Sequence, residues 1–98
     1  MVSWKNKKTK ELFKAFLKLK DEDEVANFCR DLMTQGEIEE FASRWLVAKK
    51  LDEGDSQRKV SIETSVSIAT VTRVNHWLKR GMGGYKLILK RMKRKSNN

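Results

Sequence analysis

This 98-residue chain contains no proline. No ring closure interrupts a helix anywhere in it, and Ala, Leu, Lys, Glu and Arg are abundant, so an all-α fold is expected. The single cysteine, Cys29, excludes an internal disulfide framework. The single histidine, His76, completes neither a zinc ligand set nor a Cys–His pair at catalytic spacing, so neither a metal site nor an enzyme is expected. No apolar run approaches membrane-spanning length, and the opening MVSWKNKKTK has no hydrophobic signal core. These absences point to a soluble, cytoplasmic protein with no membrane partner. The length fits one domain over 1–98, small enough that oligomerisation would help its core considerably.

What is present is charge, unevenly spread. Residues 1–20 carry a net +6, residues 21–55 a net −7 and residues 56–98 a net +10, within an overall +9. Positive charge flanks an acidic middle and is densest toward the end, the footprint expected of a protein that meets a polyanion.

Helical periodicity divides the chain into six segments. Lys7–Leu19 is amphipathic, with Leu12, Phe13, Phe16, Leu17 and Leu19 toward one side. Asp21 or Asp23 can cap a second helix running to Met33, whose stripe is Val25, Phe28, Cys29 and Leu32. Thr34-Gln35-Gly36-Glu37 has the form of a capping box, opening a third helix to about Glu53 that Gly54 ends. Its apolar residues Ile38, Phe41, Trp45, Val47, Ala48 and Leu51 cover a broad arc, as a central helix with two partners would require. Ser56 and Ser67 are positioned to cap helices over Gln57–Thr64 and Ile68–Arg80. After a Gly81–Gly84 break, Tyr85, Ile88, Leu89 and Met92 return at helical spacing, before a basic tail (93–98) that should fray.

The stretch Gln57–Trp77, QRKVSIETSVSIATVTRVNHW, carries the functional signal. Val60, Val66, Val71 and Val74 fall where a helix-turn-helix, here about 57–80, needs apolar residues to lock its two helices, and Ser61 is small where they cross. Gln57, Arg58, Ile68, Ala69, Thr70 and Thr72 are left outward. Small and hydroxyl-bearing side chains on the first turns of a second helix suit close approach to base edges, and Ala69 and the Thr70 methyl can meet a thymine methyl. Gln57 and Arg58 open the preceding helix, where backbone amides and side chains can jointly hold a phosphate. Lys59, Lys79 and Arg80 are further phosphate candidates from charge. Apolar spacing of this kind also occurs in ordinary helical hairpins.

Ser56-Gln57-Arg58 followed by Ile68-Ala69-Thr70-Val71-Thr72-Arg73 resembles the SQR…IATITR signature of the bacterial Trp repressor family. The resemblance extends through Thr34, Glu37, Arg44, Leu51 and Gly54, spans most of residues 11–92, and is closest to a branch in which RVN precedes a GGY segment, here Arg73-Val74-Asn75 and Gly83-Gly84-Tyr85. It implies a six-helix homodimer with intertwined N-terminal helices. Two recognition helices would then enter successive major grooves of a palindromic DNA operator, about 34 Å apart as in helix-turn-helix dimers generally, with repression the implied role.

The resemblance also places Thr34, Arg44 and Arg73 at positions lining the family's tryptophan pocket. There arginines would hold a carboxylate and sandwich an indole. This chain departs from the pattern: Trp77 stands where the family has a small serine, and Val74 where it has a glycine. Bulk at both places should fill the pocket, so L-tryptophan is disfavoured as corepressor and no cofactor is expected. Ser65 replaces the turn's usual glycine, which predicts a strained or reshaped turn. Two other readings remain open at the level of sequence: an RNA-binding or nucleoid-type basic protein with little sequence preference, and a protein-interaction module whose acidic middle binds a basic partner.

Overall fold

The computed structural model describes residues 3–96. Among them lie six helices and no strand: α1 (Lys7–Phe16), α2 (Glu22–Leu32), α3 (Gln35–Asp52), α4 (Gln57–Thr64), α5 (Ile68–Arg80) and α6 (Gly84–Ser96). The chain divides into two compact units at Ile38/Glu39, inside α3.

In the first unit, side-chain caps set the helix boundaries. Asn6 Oδ1 accepts the Thr9 N–H at 3.0 Å while Thr9 Oγ1 accepts the Asn6 N–H at 2.8 Å, a reciprocal box that starts α1. The helix stops at Phe16, three residues short of the boundary that periodicity implies. The amides of Leu17, Lys18 and Leu19 donate instead to the carbonyls of Lys14, Ala15 and Phe16, the tighter three-residue spacing of a 3₁₀ turn. Asp21, not Asp23, caps α2 by accepting the Glu24 N–H at 2.9 Å, and Glu24 Oε1 in turn accepts the Lys20 N–H at 2.9 Å. Met33 is extended and ends that helix. Thr34 and Glu37 form the expected box, with bonds of 2.9 and 3.1 Å. Phe16 packs edge-on to Phe28 at 5.2 Å, yet neither α1 nor α2 holds a single buried residue. Cys29 is a half-buried free thiol on this face.

The second unit holds the core. Val47 and Ala48 from α3, Val60 from α4, and Val71 and Val74 from α5 are completely buried, with Trp45, Leu51, Val66 and Tyr85 packed around them. Leu78 and Leu89 extend the core toward the α5–α6 end. Gly54 closes α3 at φ 103°. Its N–H donates to the Leu51 carbonyl and the Asp55 N–H to that of Lys50, the two bonds of a Schellman ending that an L side chain resists. α5 packs against both α4 and α6. Lys93 on α6 pairs with Asp52 on α3 at 2.6 Å. α6 continues to Ser96, so most of the tail expected to fray is helical; Asn97 and Asn98 lie outside the described residues.

Candidate nucleic-acid interface

Two hydroxyl caps and a valine lock build the α4–α5 pair. Ser56 Oγ accepts the Lys59 N–H at 3.1 Å and Ser67 Oγ accepts the Thr70 N–H at 3.2 Å, fixing the first turn of each helix. Val60, Val71 and Val74 close the space between them with no exposed surface. Ser61, expected only to be small, does more: its hydroxyl donates to the Val66 carbonyl at 2.7 Å and ties α4 to the turn. Ser65 adopts φ 60°, ψ 17°. The turn therefore keeps the left-handed geometry that glycine normally supplies and carries the strain on a serine.

This frame leaves most of the motif's outward set in contact with solvent. Arg58, Ile68, Ala69 and Thr72 are exposed, while Gln57 and Thr70 are half-buried. Thr72 Oγ1 donates to Gln57 Oε1 at 2.9 Å across the helix pair, so the Gln57 amide NH₂ is turned out as a donor. Ser67 Oγ donates to Thr70 Oγ1 at 3.1 Å, which leaves the Thr70 hydroxyl hydrogen available. Three of the six, Gln57, Thr70 and Thr72, are thus pre-oriented by bonds that sequence spacing does not reveal.

The three charge-selected lysines and arginines behave differently. Lys79 and Arg80 are exposed and line a shallow groove with Thr72, Asn75 and His76. Lys59 is engaged by Asp55 at 3.3 Å and Glu63 at 3.8 Å, and the Asp55 hydrogen bond holds its ammonium above the usual lysine value. Its charge is locally answered, so it has less to offer a phosphate than its neighbours.

The residues aligned with the ligand pocket fall into separate circumstances. Thr34 belongs to the first unit, its hydroxyl committed to the Glu37 amide. Arg44 pairs with Glu40 at 2.8 Å and lies over the rings of Trp77 at 5.6 Å and Phe41 at 5.5 Å, while its Nε is buried with no acceptor among the described residues. The Arg44 guanidinium therefore already has aromatic partners of its own in Trp77 and Phe41. Arg73 is exposed. Val74 is wholly inside the core, and Trp77, 39% exposed, forms a wall of an apolar groove of about 660 Å³ with Trp45, Gly81, Met82, Tyr85 and Ile88. A Cβ on Gly81 would collide with the Trp77 carbonyl, so the α5–α6 corner cannot carry a side chain there. Tyr85 stacks on Trp45 at 6.1 Å, and burial raises its phenol above the ordinary value against the opposing pull of Arg44. Periodicity marks Tyr85 and Ile88 only as a helix stripe; a groove assembled from α3, α5, α6 and the α5–α6 corner leaves no linear signature.

The Trp repressor family model, described as Trp repressor protein, matches residues 7–93. The chain belongs to the Trp repressor family. It is 39% identical over 89 residues to YerC of Bacillus subtilis (strain 168), covering 91% of this chain and 86% of that protein. Its fold superposes on the crystal structure of a TrpR-like protein from Eubacterium eligens with a TM-score of 0.85 at 37% identity, covering 91% of this chain and 92% of the other. The six-helix reading and the family resemblance drawn from SQR…IATVTR are thereby both upheld. No helix among the described residues is long and apolar enough to cross a membrane.

Proposed function

We propose that this protein is a sequence-specific, DNA-binding transcriptional repressor that acts as a homodimer on a palindromic operator without free tryptophan as corepressor. The observation that carries the reading is the α4–α5 pair. A buried valine lock and two serine caps fix the two helices that carry Gln57, Arg58, Ile68, Ala69, Thr70 and Thr72, in a chain of the Trp repressor family. Side chains of this kind at a helix start match base edges and phosphates in a major groove.

Dimerisation is supported by unmet apolar surface. Phe13 in α1, Leu17 just past its end, and Val25 and Leu32 in α2 are each at least 40% exposed, and the Trp45–Trp77–Tyr85 groove is open. A second copy related by two-fold symmetry would bring the same unmet surfaces to cover them. Independence from tryptophan is supported by Trp77, whose indole already occupies the Arg44 face.

Changing Arg58 and Thr70 together to alanine tests the reader. DNA binding should be lost while helicity and the dimer survive; retained binding would remove the assignment and favour a scaffold role. Calorimetric titration with L-tryptophan should give no saturable heat. Micromolar binding would overturn the corepressor-free reading while leaving the reader intact.

A further inference from the structure

The outward polar face of α5 does not end with Thr72. Thr72, Asn75, His76, Lys79 and Arg80 follow one another at the three- and four-residue steps of a single helix face, and together they line one shallow groove. The Thr72 hydroxyl hydrogen is spent on Gln57, but the other four can each donate a hydrogen bond, and two are fixed cations. No carboxylate lines the groove. The elements packed on α5 do not answer its charge. α6 brings Lys86, whose ammonium donates to the Lys79 carbonyl at 3.3 Å. α4 brings uncharged Gln57 to Thr72, and its acid Glu63 is held by Lys50 and Lys59. α3 brings Arg44, paired with Glu40 and stacked on Trp77. On α5 itself the charged neighbours of His76 are Arg73, Lys79 and Arg80, all cationic.

We propose that this groove takes the phosphodiester backbone of the operator and that His76 takes up a proton as it does so, making DNA binding tighten as pH falls. The inference rests on the reader assigned above. A phosphate within hydrogen-bond reach of an imidazole favours the charged form, which presents two donors and a positive charge in place of one neutral donor. Linkage then runs both ways: what DNA does for the proton, the proton does for DNA. Histidine is the side chain whose charge changes near neutrality, so the coupling falls in the working range of a cell.

The test is fluorescence anisotropy of a labelled duplex recovered by selection from random DNA, and of a random-sequence duplex, from pH 6 to pH 8 at fixed salt. Wild-type affinity should be about fivefold higher at pH 6 than at pH 8 for each recognition helix. His76→Gln should flatten the profile, and His76→Lys should bind tightly at every pH. At pH 6 the His76→Gln salt dependence should be shallower by about 0.9 in log–log slope for each phosphate that the imidazolium no longer neutralises. A wild type that prefers the selected duplex with a flat pH profile would overturn the proton link alone, as would a His76→Gln protein that keeps the wild-type profile. Failure of the wild type to prefer any duplex would overturn the reader as well.

Discussion

At the scale of single residues, the outward set depends on hydrogen bonds made within the protein before any DNA arrives. The bond from Thr72 to Gln57 selects which end of the Gln57 amide faces out. Thr72→Val keeps the shape, removes the donor, and should weaken binding to a selected operator about tenfold with the circular dichroism spectrum unchanged. Ser65 is the opposite case, a residue held where its own backbone preference resists. Ser65→Gly should stabilise the protein by about 0.5–1 kcal/mol in urea unfolding, since relief of left-handed strain outweighs the added freedom of the unfolded chain. At Tyr85 the phenol stays protonated longer in the folded state than in the unfolded one, because burial disfavours its anion. Stability from this group is therefore intact below the unfolded phenol pKa of about 10 and lost as pH rises through and beyond it. Tyr85→Phe should blunt the alkaline fall in melting temperature.

At the scale of elements, the caps of α3, α4 and α5 and the valine lock could be read from the sequence. The Asn6–Thr9 box that starts α1 was missed, and the sequence does not choose between Asp21 and Asp23 as the cap of α2. A cap is a local event within four residues, so Ser56, Ser67 and the Thr34–Glu37 box declare themselves in order along the chain. The lock was legible because Val60, Val71 and Val74 lie within a few turns of one another. The C-terminus of α1 was not, because apolar periodicity continues through Leu19 while the hydrogen bonding tightens after Phe16. The salt-bridge web that engages Lys59 was also hidden: Asp55 is one helical turn away, but Lys50, which shares Glu63, is on another helix. The lock itself makes a direct prediction. Val71→Ala should cost about 2 kcal/mol, read as a lowered urea midpoint, because a fully buried methyl pair leaves a cavity in the crossing of α4 and α5. Ser67→Ala should cost about 1 kcal/mol and loosen Thr70 with it.

At the scale of the whole molecule, the distribution of apolar surface is the main clue to how a 98-residue chain becomes a stable protein. Core burial is concentrated in α3–α6, while α1 and α2 expose phenylalanine, leucine and valine. Leu17→Lys combined with Phe13→Lys should shift sedimentation from dimer toward monomer and weaken operator binding in parallel, because two readers on one operator bind far better than one. The same distribution explains why family membership was easier to read than the ligand question. SQR…IATVTR is carried by two short runs of neighbouring residues, whereas the surroundings of Trp77 are assembled from three helices and a glycine corner. The central claim is that the face around Gln57, Arg58, Thr70 and Thr72 reads a sequence, and repeated selection of bound duplexes from random DNA, with and without L-tryptophan, tests it most directly. Two inverted half-sites centred about one helical turn apart should be recovered, the same with or without tryptophan. A pool that stays random while binding falls steeply with salt would contradict the claim.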